Sequence, residues 1–302
     1  MKCGVVDVGS NTIRLSIYHC EGKHFKLLMN KKEMAGLASY IRRGAMSEGG
    51  IWVACRVLSG FREILNNLGI QEFHVFGTAP LRNISNTEEA VDTIRVATGI
   101  QVDVLSGAQE ANYSFLGALA GGNTPASGLL ADIGGGSTEL VAYRDGVISS
   151  QCSLPIGSLS LYANYVSGLF PTHQERRALR AQIRHEIGRA KTAGLTCSHL
   201  TGVGGTIRAA AKLCNHRAKA DPGNRLIPAG EIRALYKDLK KCNQATLHQI
   251  LEIVPDRVHT VLPGLAILKT VLDVYEVETI SVSATGVREG YLLDRVLGGN
   301  TQ

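Results

Sequence analysis

The sequence predicts an α/β fold made of two related halves. Three observations carry that reading. Short apolar runs alternate with amphipathic, capped segments along the whole chain, the pattern of strands covered by helices. An aspartate-bearing hairpin at the N-terminus returns 125 residues later, with Asp7 on Asp132, Gly9 on Gly134, Leu15 on Leu140 and Tyr18 on Tyr143. Glycine, with 34 of 302 residues, stands at about 11% where ~7% is usual.

Residues 3–8 read as a strand and Gly9-Ser10-Asn11 as a turn. Residues 12–20 alternate, with Ile13, Leu15 and Ile17 on one face and Arg14, Ser16 and Tyr18 on the other. After Glu21-Gly22-Lys23 the chain can return as a strand over 25–29, followed by a helix over 49–68 that Gly69 stops. A strand over 72–77 precedes Asn86-Thr87-Glu88-Glu89, a capping box whose helix stops at Gly99. A strand over 101–105 leads into a second box, Ser106-Gly107-Ala108-Gln109, and a helix that ends at Gly121-Gly122. The second half repeats the opening: a strand over 129–132, a turn at Gly134-Gly135-Gly136, a strand over 138–143 and a hairpin signal at Asp145-Gly146. Helices follow near 156–168 and 172–193, the latter opened by Pro171 and the Thr172/Glu175 box. A short strand ends in Gly202-Val203-Gly204-Gly205-Thr206, with a helix after it; 264–275 is helical, 278–283 a strand and 287–297 a closing helix.

Composition narrows the function. Hydrophobic residues at 44% and charged residues at 19% are those of a folded globular protein. Aromatics at 5% leave little for base stacking, which argues against a nucleic-acid partner. No run of eighteen apolar residues suggests a membrane span, and Asp7 interrupts any signal-peptide core, so the expected location is the cytoplasm. Seven widely spaced cysteines, none in a CxxC pair, read as core thiols rather than a disulfide or zinc framework. Net charge is uneven: residues 176–225 hold eleven Lys or Arg against Glu186 and Asp221. That is a field for a polyanion, or a solvated helix face with Leu179, Ile183 and Ile187 buried beneath it.

The chemistry sits in three glycine turns: Asp7-Val8-Gly9-Ser10-Asn11, Asp132-Ile133-Gly134-Gly135-Gly136-Ser137 and Gly202-Val203-Gly204-Gly205-Thr206. Successive glycines let backbone N–H groups face one concavity, and such nests hold phosphate oxygens. An aspartate opening the turn repels phosphate but can hold a divalent cation, through water, that bridges to it. Tight hairpins alone would need the same glycines; the repeat and the third turn favour phosphate. There is no GxxxxGK[ST] loop, no GxSxG elbow and no HExxH, and Ile207 stands where a dinucleotide fingerprint needs glycine.

These turns resemble the actin/Hsp70/hexokinase-like superfamily, and within it the exopolyphosphatase/guanosine pentaphosphatase (Ppx/GppA) family. The resemblance rests on Val6 to Leu15, Gly77-Thr78-Ala79-Pro80-Leu81-Arg82, Ser106 to Ala111, Ala131 to Val141, Gly202 to Thr206, and Ser283 to Gly290, all in family order. It implies two actin-like (ribonuclease H-like) domains with an active site in the cleft between them: residues 1–120 plus 287–302, and 121–286. Read alone, Glu110 complements the dipole of its capped helix, worth ~0.3–1 kcal/mol; the resemblance makes it the general base that orients or activates water. Asp132 and Glu139 match residues placed at the metal, with Asp7 as a third candidate and Mg2+ as the ion. Gly9, Ser10, Asn11, Thr12, Arg14, Arg82, Gly134, Gly135, Gly136, Ser137, Gly204, Gly205 and Thr206 are the expected phosphate ligands. Glu139 and Arg14 occupy equivalent positions of the two hairpins, one suited to metal and one to phosphate.

Two departures from the family stand out: Gln109 where an acid is common before Glu110, and Ala35-Gly36-Leu37-Ala38 where Arg-Leu-Gly is common. The C-terminal helical extensions with which long family members grip long polymers are not in the sequence, which leaves long-chain processivity open. The expected activity is release of orthophosphate from a polyphosphate or (p)ppGpp-type polyanion, by a homodimer, with the basic 176–225 segment lining the route of the remaining chain. A kinase or ATPase of the same fold, and a non-catalytic sensor of polyphosphate or alarmone, are the competing readings.

Overall fold

The computed structural model describes residues 1–122 and 124–298. The first half runs β1 (Lys2–Val8), β2 (Thr12–Glu21) and β3 (His24–Met34), then a short ribbon of β4 (Ile41–Arg42) and β5 (Ala45–Met46). It continues with α1 (Glu48–Asn67), β6 (Phe73–Gly77), α2 (Ala79–Arg82), α3 (Thr87–Thr98), β7 (Asp103–Val104) and α4 (Gly107–Ala120). The second half holds β8 (Gly128–Ile133), β9 (Thr138–Arg144), β10 (Val147–Leu154), α5 (Ser158–Tyr165), α6 (His173–Gly188), β11 (His199–Val203) and α7 (Gly204–Ala218). Then come β12 (Leu226–Pro228), α8 (Ala229–Leu239), α9 (Gln244–Ile253), α10 (Val261–Val274), β13 (Thr279–Val282) and α11 (Val287–Tyr291), which runs on as a π-helical turn over Leu292–Leu297. No helix among the described residues is long and apolar enough to cross a membrane.

The two main sheets share one plan. Their strand orders are β3-β2-β1-β6-β7 and β10-β9-β8-β11-β13-β12. In each, an antiparallel three-strand meander joins parallel strands, β6 and β7 in one sheet and β11 and β13 in the other. Registers coincide at the 125-residue offset: Asp7 lies opposite Arg14 and Asp132 opposite Glu139, Val6 opposite Leu15 and Ala131 opposite Leu140. The turns match too, with the amide of Gly9 on the Thr12 carbonyl at 3.1 Å and that of Gly134 on the Ser137 carbonyl at 3.0 Å. The domain boundaries read from the sequence, after 120 and before 287, fall in the loops α4–β8 and β13–α11.

Several elements differ from expectation for local reasons. Strand β3 extends to Met34 because all of β2 is available to pair with it. Both faces of β2 are buried, since Ser16 and Tyr18 lie under α11 with Phe76 and Tyr291. Asn86 does not close its capping box: its side chain pairs with the backbone of Met46, accepting at 2.9 Å and donating at 3.0 Å, and so pins the β4–β5 ribbon. The boxes at Ser106/Gln109 and Thr172/Glu175 do close. The strand expected over 101–105 shrinks to two residues, and the helices expected over 156–168 and 172–193 are shorter. The third glycine turn is the first turn of α7 itself.

Helix α4 lies between the sheets. Its Ala111, Phe115 and Ala118 pack on Leu130, Val141, Tyr143 and Val203 of the second sheet, while Tyr113 joins the aromatic cluster under α11. The α4 and α11 backbones meet at glycines: a Cβ on Gly117 would overlap the Gly286 carbonyl, and one on Gly290 the Tyr113 carbonyl. Gly60 in α1 faces open space. Gly117→Ala and Gly290→Ala are therefore expected to destabilise by about 1–3 kcal/mol or more, whereas Gly60→Ala gains about 0.5–1 kcal/mol. Urea midpoints of the three variants check this; equal midpoints would show that the helices do not meet at their backbones.

Candidate active site

The turns after β1 and β8 and the start of α7 meet at the carboxyl ends of the parallel strands, where open α/β sheets bind ligands. They enclose a cavity of about 140 Å3. The two hairpin turns touch across it: a Cβ on Gly135 would lie 3.2 Å from the Ser10 Cβ and 3.4 Å from the Asn11 Cβ. The 35–38 loop braces the first turn, with Gly36 and Ala38 donating to the Asn11 and Ser10 carbonyls, each at 3.0 Å. Helix α5 braces the second, spending its first amides on the carbonyls of Gly134 and Gly135 at 2.9 Å. Helix α7 differs. Its N-cap, Val203, offers no side-chain acceptor, so its first amides are left for a ligand. Gly204 starts it at φ +91, a backbone strained for other residues, and a Cβ there would lie 2.5 Å from Asp132 Oδ1.

Every residue singled out from the sequence for catalysis, phosphate or metal lines this cavity, except Arg82. Glu110 enters from the first turn of α4 and is only 8% exposed. Arg82 stands behind it: Nη1 donates to Glu110 Oε2 at 2.6 Å and to the Leu105 carbonyl at 3.1 Å, and Nη2 lies 4.0 Å from Glu139 Oε1. A buried carboxylate takes the nearest guanidinium, so Arg82, expected at a phosphate, is paired with Glu110 in this structure and does not line the cavity. Gln109 points away from the cavity, its Oε1 accepting from the Ser106 amide at 2.8 Å. That departure is spent on the helix cap.

Burial dominates the electrostatics. It raises the Glu110 carboxyl to about 7 against the pull of Arg82, and Asp7 to about 6 against Arg288 and Arg14. Asp132 is raised by burial although Ser114 donates to it at 2.5 Å. Glu139 is driven well above the carboxylate range by burial, then by the negative charges of Glu110 and Asp132. These acids share the cleft without converging: among the described residues no three His, Cys, Asp or Glu side chains are grouped to hold a metal ion. The trio Asp7, Asp132 and Glu139 is thus not a closed ligand set.

Four arginines face the same space: Arg14, Arg208, Arg257 and Arg288. Arg14 is lowered to about 10, by burial first and then by Arg288 and Arg208; Arg208 and Arg257 are lowered for the same reasons, burial and neighbouring guanidinium groups. Arg288 donates to Ser16 Oγ at 3.2 Å, and none of the four is in an ion pair among the described residues. Four crowded guanidinium groups outside any ion pair among the described residues suit an anion. Sequence reading missed three of them. Arg208 was one of eleven cations in a basic segment, and it alone of those lines the cavity. Arg288 lay in a quoted motif without a role. Arg257 sits in the loop after α9, where nothing local marks it.

The description of the Ppx/GppA phosphatase family matches residues 16–298. Exopolyphosphatase 1 of Mycobacterium tuberculosis is 24% identical over 304 residues, covering 98% of this chain and 88% of the relative. The crystal structure of an exopolyphosphatase from Cytophaga hutchinsonii superposes with a TM-score of 0.86 at 25% identity, covering 99% of this chain and 98% of that one. A Ppx/GppA family member from Aquifex aeolicus gives 0.80 at 25% identity, covering 100% and 99%. The two-sheet architecture is the actin-like one those structures share. A match reaching from β2 through the cleft to the end of α11 leaves one placement: the chain belongs to the Ppx/GppA phosphatase family.

Proposed function

We propose that the chain hydrolyses the terminal phosphoanhydride of a polyanion, inorganic polyphosphate first and guanosine pentaphosphate second, with Glu110 as the base. Relatives named exopolyphosphatase support the first substrate. The observation that carries the reading is a single one. Glu110 is buried, is held from behind by Arg82, and opens on the cavity that both glycine turns and four arginines line.

The steps follow from what each group can do. Amides of the two turns and of the α7 start hold the equatorial oxygens of the terminal phosphoryl group, and Arg14, Arg208, Arg257 and Arg288 balance its charge. Glu110 accepts a proton from the attacking water, whose oxygen bonds to phosphorus as the bridging P–O bond breaks and the shortened chain leaves with the electron pair. Catalysis is then mostly positioning and electrostatics.

The acids suit a hard divalent cation. Asp7, Asp132 and Glu139 offer only carboxylate oxygens, and because they do not converge, one or two of them with water and phosphate oxygens would complete a shell, the arrangement Mg2+ prefers. When bound, Mg2+ supplies charge neutralisation at the phosphoryl oxygens.

Glu110→Gln is expected to lower kcat by about 10²–10⁴, read as orthophosphate release from tripolyphosphate with Mg2+; full activity would remove Glu110 from the mechanism. With the base at about 7, kcat/KM falls about tenfold per pH unit below 7. Arg82 pulls that carboxyl down, so Arg82→Gln moves the acid limb upward. A raised KM with an unmoved limb would return Arg82 to phosphate binding. Glu139 holds its proton more tightly folded than unfolded, so its contribution to stability is present at low pH and is lost as pH rises through the folded value. Glu139→Gln is expected to lose activity yet gain more in Tm at pH 8 than at pH 5; a uniform loss of Tm would contradict the raised carboxyl.

A further inference from the structure

We infer that Arg177, Arg180 and Arg184 on α6 form a second binding site, for the part of an inorganic polyphosphate chain that the cleft leaves outside. The inference rests on the reading just proposed. A cavity of about 140 Å3 is well below the ~300–1,000 Å3 that encloses a whole small molecule. It takes the end of a polyanion and leaves the remainder in solvent or on the protein surface.

The cleft adjoins further cavities in the direction of α6. It shares Asn11 with a neighbouring cavity, which shares Ala163 and Val166 with a third; the third is lined by the first turns of α6, at Gln174, Glu175 and Ala178. Beside Gln174 and Ala178 the stripe begins. Arg177, Arg180 and Arg184 follow at i, i+3 and i+7, all exposed or partly so, and they project from one face over about 10 Å.

The stripe has no internal counter-charge. The three arginines have no ion pair or side-chain hydrogen bond among the described residues, whereas Arg176 donates to the Pro171 carbonyl at 2.6 Å and Arg217 pairs with Asp238 at 2.7 Å. The acids of α6 are already occupied. Glu175 accepts from the amides of Thr172 and Ser167 at 2.7 and 2.9 Å, and Glu186 from Gln182 at 2.9 Å. Like charges three and four residues apart destabilise a helix. The end of α8 adds to the field rather than neutralising it: Cys242 just beyond it touches Arg176, and Lys237 and Lys240 there are exposed.

The test compares wild type with Arg177→Gln/Arg180→Gln/Arg184→Gln on tripolyphosphate and on long-chain polyphosphate. Removing three exposed guanidinium–phosphate pairs should raise KM for the long chain roughly tenfold, with kcat and the tripolyphosphate constants unchanged. The slope of log affinity against log salt for long-chain binding should fall by about 2, at ~0.7 per neutralised phosphate. Equal long-chain KM and equal salt slopes would make the stripe a solvated helix face and overturn the inference. An equal loss on both substrates would overturn it too, by showing damage to the cleft. If wild type turns over neither substrate, the proposed reaction fails on its own. Fluorescence anisotropy of labelled long-chain polyphosphate on wild type and the triple variant then decides the stripe by the same slope difference.

Discussion

The contact between α4 and α11 fixes where the cleft chemistry can happen. Two helix backbones meet only where Gly117 and Gly290 carry no side chain, and each then presses on a carbonyl of the other segment. That contact sets the position of α4 along its own axis. Everything α4 delivers depends on it: Glu110 at its first turn, the Ser114 hydroxyl on Asp132 one turn later, and Phe115 on the second sheet. Helix α11 is held in turn from the first sheet, where Tyr18 donates to Glu289 at 2.5 Å and Arg288 to Ser16 at 3.2 Å. Glu110 therefore stands on a rigid element braced by both sheets, and the groups that support it lie far from it in sequence.

The same burial that gives Glu110 a useful proton affinity works against the fold. Asp7, Glu110, Asp132 and Glu139 are all raised, so each favours the folded chain less as pH rises through its folded value. Four crowded arginines lie in the same small space, yet among the described residues the cleft acids find an ion-pair partner only in Arg82. An active site that keeps its charges apart stays short of its own stability optimum, and a bound anion that neutralises the arginines offsets the repulsion among them. An anion bound at the guanidinium cluster would thus stabilise the fold.

How much of this was legible follows from how local each signal is. The repeat could be read because register, turn and hairpin strands are set by neighbouring residues; Asp7 opposite Arg14 and Asp132 opposite Glu139 were implied by the offset alone. The glycine turns were legible for the same reason. Arg257 was not, since a loop between α9 and α10 reaches the cleft only through tertiary packing, and it lies so close to Gly205 that a Cβ there would overlap its guanidinium. The ion pair of Arg82 with Glu110 was not legible either, because its motif predicts proximity to the site but not which charged group it meets. Asn86 shows the same limit in miniature. Its box is a sound local pattern, and the β4–β5 backbone outcompeted it.

Duplication explains the geometry of the cleft, and divergence explains its chemistry. Two identical hairpins whose turns face one cavity would present identical side chains to a ligand between them. Here the equivalent positions hold Arg14 and Glu139, a cation and an acid, at the same register opposite Asp7 and Asp132. The first hairpin is thereby charge-balanced and the second doubly acidic. A phosphoryl group placed between them would meet a guanidinium from one side and carboxylates from the other, and would need a cation or a proton interposed. Glu139, raised well above the carboxylate range, is the group most ready to hold that proton when no cation is present. The asymmetry of one pair of residues thus gives a repeated fold a direction: one hairpin carries a guanidinium into the cavity, the other a second carboxyl.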